Sequence, residues 1–177
     1  MSVAAVLDGL CTYFGGTYDP AERAYRTPQV AGLGTVRRAF PKRDDKADYY
    51  LGMPVGAPTG CQMVMQIPKT VERRTAVPAA HGGWKRVEHT VEMHCFLLSV
   101  QSYGEDASDD FIALRDALIT HIHADPTCGT GGFETGTGFQ LGEGSDLEHS
   151  LAEAESRSEL SRAYLLITST AVQYVQA

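Results

Sequence analysis

The sequence predicts an α+β fold: a mainly antiparallel sheet that contains a long β-hairpin, flanked by two helices packed on the sheet. Two segments carry apolar residues at helical spacing, which predicts the helices. Two long segments on either side of a turn-rich connector predict the hairpin. The chain has 177 residues, which suits one domain spanning residues 1–177.

Two amphipathic helices are predicted, at residues 2–14 and 106–123. Ser2 is a suitable N-cap for the first, and Gly15 and Gly16 can end it. The second begins with acidic residues and ends with histidines, an arrangement that the helix dipole favours. Its predicted buried stripe comprises Phe111, Leu114, Leu118 and Ile122.

The hairpin is predicted from residues 61–77 and 84–101, joined by residues 78–83. One face of its second arm comprises Val87, His89, Val91, Met93, Cys95 and Leu97. Both arms exceed the usual length of about 5 or 6 residues for a strand. We therefore expect the hairpin to project beyond its own core and to contact partners.

The remaining strands are predicted at residues 34–40, 139–151 and 160–175. The last is rich in β-branched and aromatic residues, so we expect it in the centre of the sheet. The acidic stretch at 148–159 either continues a strand or forms a turn. Loops are predicted at three places: residues 17–28, an exposed loop at about 41–60, and a glycine-rich loop at about 127–138.

No residue pattern predicts a catalytic, cofactor or metal site. The glycine-rich loop has no following Lys and comes after a helix, unlike phosphate-binding loops. His121 and His123 point about 200° apart on a helix, and His89 and His94 fall on opposite faces of a strand. The four cysteines are far apart in sequence. We therefore predict that the chain is not an enzyme and binds no cofactor.

The charge of the chain argues against stable binding to DNA. Acidic residues outnumber basic ones by 22 to 15, giving a net charge of −7. Affinity for phosphates depends on a basic surface that releases counterions. No apolar run is long enough to span a bilayer, and the first residues lack the basic region of a signal peptide. We therefore expect no membrane contact and folding in a cytoplasm.

The order of segments resembles the tail terminator proteins of long-tailed phages, also called tail completion or tail-to-head joining proteins. An opening helix, SVAAVLDGLCTYF, is followed by the hairpin strand WKRVEHTVEMHCFLLSV. Then come the helix SDDFIALRDALITHIHADP, the segment FQLGEG and the closing strand AYLLITSTAVQYV. The resemblance extends over roughly residues 2 to 176.

This resemblance implies a structural virion protein at the tail–head junction, made in the host cytoplasm. Such proteins form a hexameric ring on the last ring of tail tube protein, end tube polymerisation and join the tail to the head connector. DNA passes through without stable binding. The candidate interface residues are Lys42, Arg43, Tyr49, Tyr50, Arg73, Arg74 and Trp84. The candidate acidic residues facing the lumen are Glu148, Glu153 and Glu155.

Three other functions stay open from the sequence. The first is another neck component, such as a head-completion or connector protein; addition to purified tails rather than to filled heads would favour a terminator. The second is a host enzyme or small-molecule binder, which predicts a deep pocket with convergent polar groups. The third is a nucleic-acid-binding module, which the acidic charge opposes.

Overall fold

A computed structural model describes residues 2–39, 56–74, 84–135, 138–142, 147–157 and 160–176. The helices are α1 (Val3–Gly15) and α2 (Gly104–Ala124), and a short 3-10 helix covers Gly132–Thr135. The strands are β1 (Tyr18–Asp19), β2 (Ala24–Tyr25), β3 (Leu33–Arg38), β4 (Thr59–Arg74), β5 (Trp84–Ser99), β6 (Gln140–Leu141), β7 (Glu148–Arg157) and β8 (Leu160–Gln176). The α+β prediction is confirmed.

The eight strands form one sheet in the order β1, β2, β3, β4, β5, β8, with β6 and β7 both paired to the far side of β8. All neighbouring strands are antiparallel except β3 and β4, which run parallel. Because β8 has strand neighbours on both sides, its predicted central position is confirmed.

Both helices pack on the same face of the sheet, which we call the inner face. Ser2 caps α1 by accepting a hydrogen bond from the backbone N–H of Ala5 at 3.3 Å. Every one of the six side chains on the predicted apolar face of β5 is buried, and Val91, Met93, Cys95 and Leu97 lie in one core with the helices. All four cysteines are free and buried in the interior.

The outer face of the sheet, opposite the helices, carries Gln66 of β4, Glu92 and His94 of β5, and Tyr164 of β8. Here the strands alternate as the sequence predicts, because successive side chains of a strand point to opposite faces. This face is partly polar, yet His94 is only 9% exposed.

The predictions for two segments, one loop and one strand, were wrong. The predicted loop at residues 17–28 contains β1 and β2, which pair with each other through Tyr18 and Tyr25. The predicted strand at residues 139–151 is two strands, because β6 and β7 pair with different parts of β8. The acidic stretch that follows continues as β7 through Arg157.

The structure describes the two predicted long loops to different extents. Strand β4 begins at Thr59, so the predicted exposed loop ends before residue 60, and residues 40–55 lie outside the described residues. The glycine-rich loop at 127–138 holds the 3-10 helix and a buried Cys128. It therefore packs on the domain in part, instead of being a purely exposed connector.

Strand β4 divides into two halves with different surroundings. Residues 60–65 are buried and lie beside β3, which pairs only as far as Met65. A bulge between Gln66 and Lys69 interrupts the ladder to β5. Beyond the bulge most side chains are exposed, and β5 is the sole described strand that pairs with this half. The second half of β4 thus extends past the buried part of the strand, whereas β5 stays paired with β8 as far as Trp84.

Candidate interface on the projecting arm

We call residues 69–74 of β4 and 84–90 of β5 the arm. The ladder between these strands pairs Arg73 with Arg86 and Arg74 with Lys85. Trp84 is the first residue of β5 and is 48% exposed. The end of the arm therefore gathers an aromatic ring and four basic side chains from two strands.

The arm is basic although the chain as a whole is acidic. Its five basic residues outnumber its two carboxylates, Glu72 and Glu88. Arg86 Nη1 lies 2.6 Å from Glu88 Oε1, and Arg73 Nη2 lies 3.7 Å from Glu88 Oε2. One carboxylate thus faces two guanidinium groups, which leaves a net positive charge at the end of the sheet.

Three predicted interface residues, Arg73, Arg74 and Trp84, come together at the end of this arm. The other four, Lys42, Arg43, Tyr49 and Tyr50, lie outside the described residues. The predicted interface residues do not include Arg86, because only the register of the hairpin brings it opposite Arg73.

The three predicted lumen residues all lie in β7, at the opposite edge of the sheet. Glu148 is exposed and pairs with Thr168, which also pairs with Glu92, so Glu148 belongs to the outer face. Glu153 and Glu155 flank a bulge in the same strand. One edge strand therefore carries all three acidic residues.

A polar cluster on the outer face joins the three central strands. Gln66 Nε2 lies 2.5 Å from Glu92 Oε2 and 2.8 Å from His94 Nε2. The other ring nitrogen of His94 bonds the Tyr164 hydroxyl. Burial lowers the pKa of His94, and the nearby Glu92 carboxylate opposes this shift. The cluster holds the imidazole of His94 in place and links β4, β5 and β8.

A second histidine is held at the base of the arm, on the inner face. His89 Nδ1 lies 2.9 Å from Thr70 Oγ1, and His89 Nε2 lies 3.2 Å from Gln173 Oε1. Burial lowers the pKa of His89, and the Gln173 contact opposes the shift. Both ring nitrogens are engaged, so this imidazole fixes the arm to β8.

A cavity of about 430 Å³ lies between α1, the β1–β2 turn and β3. Asp8 accepts hydrogen bonds from Arg38 at 2.7 Å and from the Tyr25 hydroxyl at 3.1 Å. Burial raises the pKa of the Tyr25 phenol, and the Asp8 carboxylate adds to this shift. The carboxylate and phenol are engaged with each other, and no Ser, Cys or His is among the described residues that line the cavity.

Among the described residues, no three His, Cys, Asp or Glu side chains lie close enough to hold a metal ion together. Neither helix in that part of the chain is long and apolar enough to cross a membrane. Comparison of the sequence with models of known protein families finds no match, and comparison with curated proteins finds none either.

Proposed function

We propose that this chain is a structural virion protein that forms a ring on the head-proximal end of a phage tail tube. The ring ends tube polymerisation and joins the tail to the head connector, and the chain is not an enzyme. Its partners are other copies of itself, tail tube protein on one side and connector protein on the other.

The observation that carries this proposal is the projecting arm. Residues 68–74 of β4 are exposed apart from the half-buried Val71, although they belong to a regular strand. Strand β5 continues beside it and is itself paired with β8, so this half of β4 is an edge strand with one described neighbour. An edge strand presents unpaired N–H and C=O groups, and interface cores are rich in aromatic residues and arginine. An exposed basic edge that ends near Trp84 is therefore typical of a surface that a partner covers.

The charge distribution also favours this function. The net charge of −7 and the exposed Glu148 on the outer face suit a wall beside which DNA moves without adhering. The histidines of the described chain pack inside the sheet or lie on α2 and β7, and the described residues that line the cavity beside Asp8 include no paired nucleophile and base. These features support an assembly protein over a hydrolase.

The proposal is tested by mixing the purified full chain with two preparations from the phage whose genome encodes it. One preparation holds tail tubes assembled without a terminator, and the other holds DNA-filled heads. Electron microscopy should show the chain as a ring at one end of each tube, and elongation of the tubes should stop. Binding to filled heads alone would indicate a head-completion protein, and binding to neither would overturn the proposal.

A further inference from the structure

We infer that residues 69–74 of β4 add to the edge of β7 in a second copy of this chain, so that the sheet continues between subunits. This inference rests on the proposed ring and specifies how its subunits join. The second half of β4 and strand β7 lie on opposite sides of the β5–β8 pair. Each copy can therefore give β4 to one neighbour and receive β4 from the other.

Both edges are open within the described part of the chain. Beyond the bulge, β4 pairs with β5 on one side, and no described strand pairs with its other side. Strand β7 likewise pairs with β8 alone. Residues 148–150 and Ala152 are exposed, as are most of residues 68–74. An open edge presents unpaired N–H and C=O groups that another strand can bond.

The charges of the two edges are complementary. Residues 69–74 contain Lys69, Arg73 and Arg74 against Glu72. The exposed start of β7, residues 148–152, contains Glu148 and no Lys or Arg. Opposite charges on directly facing residues of neighbouring strands stabilise a sheet, whereas like charges destabilise it. A β4 edge therefore pairs better with β7 of another copy than with a second β4 edge.

Strand direction also suits this pairing. Strand β4 is antiparallel to β5, β5 to β8, and β8 to β7. In subunits related by rotation about a ring axis, the incoming β4 then lies antiparallel to β7. Antiparallel pairing gives a slightly stronger ladder than parallel pairing. A head-to-tail contact of this kind closes into a ring when the rotation suits.

The heights of the two edges favour a tilted ring. Through β5, residues 69–74 are level with residues 170–175 of β8, whereas β7 is level with residues 160–168. Four strand spacings separate successive β4 strands, which is about 19 Å. If the strands are tilted by about 45° to the ring axis, the β4 strand of the neighbouring copy is displaced along the strand direction by that same distance, or about six residues. That shift brings residues 69–74 beside the exposed start of β7.

The test is hydrogen exchange, followed by mass spectrometry, on the full chain free and bound to tail tubes. We expect the amides of residues 69–74 and of residues 148–152 to become at least about tenfold slower to exchange on assembly, because both edges gain hydrogen bonds. Residues 91–97 of β5, paired on both sides in the free chain, provide the internal reference. Assembled rings with unchanged exchange at both edges would overturn this inference and leave the proposed function standing.

Reversing charges on the β4 edge gives a second test of the inference. R73E/R74E should raise by about tenfold the concentration of chain that caps half of the tubes, since it places acidic residues opposite β7. Adding E148K to this variant should recover part of the loss. R23E/R26E changes the charge equally on the β1–β2 side and is the matched control. Equal effects of both double variants would contradict the inference, and failure of the unmodified chain to cap tubes would overturn the proposed function as well.

Discussion

His89 is a titratable side chain buried at the base of the arm, 2% exposed. Burial lowers its pKa below the ordinary value of 6.5. Below that pH the unfolded chain binds a proton that the folded chain refuses, so stability is complete above about pH 6.5 and falls as the pH drops. We expect His89→Gln to reduce this slope in urea unfolding measured from about pH 5 to about pH 8.

His123→Gln, at an exposed position on α2, is the control for the loss of one imidazole. Thr70 and Gln173, the partners of His89, remain in both variants, so the comparison isolates the effect of the imidazole at position 89. A pH slope in His89→Gln equal to that of the unmodified chain would contradict the prediction.

Gly15 is the point where α1 approaches the sheet most closely. A Cβ atom at this position would lie 2.5 Å from Tyr25 Cβ and 2.8 Å from Val36 Cβ. Neither contact is the flexible end of a long side chain, so Gly15→Ala has to shift the helix or the strands. We expect it to lower the free energy of unfolding by about 1–3 kcal/mol, measured by urea denaturation.

Gly104→Ala is the matched variant, because a Cβ atom at Gly104 meets no atom within 4 Å. Gly104 begins α2, where alanine restricts the unfolded chain more than glycine does. We expect this variant to be as stable as the unmodified chain or more so. A loss as large as that of Gly15→Ala would show that the close approach is not the cause.

At the scale of elements, one contact ties the two helices to each other. The Tyr13 hydroxyl of α1 donates a hydrogen bond to the backbone carbonyl of His121 in α2, at 2.6 Å. The two rings also stack, with centroids 4.2 Å apart. Tyr13→Phe keeps the stacking and removes the hydrogen bond, so we expect it to cost about 1 kcal/mol in thermal or urea unfolding. Tyr103→Phe, at a side chain 70% exposed, is the control and should be neutral.

The elements that the sequence predicts well are those with a long, regular pattern. The stripe of α1 and the alternating face of β5 each repeat many times, so their positions agree with the structure to within a few residues. Strands β1 and β2 have two residues each, too few to show any period. The predicted strand at 139–151 divides because separate parts of β8 bind its two ends, a tertiary effect that no local pattern carries.

The candidate interface was predictable only in part, for a similar reason. The length of the hairpin indicates a projection, and Trp84 stands out as the single tryptophan of the chain. The positive charge of the arm depends on which residues of β4 face which residues of β5. A bulge near Pro68 shifts that register, and a bulge is not visible in the sequence. The presence of Arg86 in the site was therefore not predictable.

At the scale of the whole molecule, the single tryptophan reports on assembly. Trp84 is 48% exposed at the end of the arm. If the arm lies between subunits, the indole leaves water, and its emission should shift to shorter wavelength as rings form. A chain labelled with 5-hydroxytryptophan can be excited apart from the tryptophans of tube protein. Rings that form with unchanged emission would show that the end of the arm stays in solvent.

Pro68 gives the arm a defined beginning. Proline has no backbone N–H to donate, and the ladder to β5 skips Ile67 and Pro68. Below this point β3 already occupies the side of β4. An incoming strand can therefore pair with residues 69–74 before it meets either the proline or β3. That is at most about six residues, or about 20 Å of strand. Such a short contact keeps single pairs of subunits weak, so that stable attachment depends on many contacts forming together.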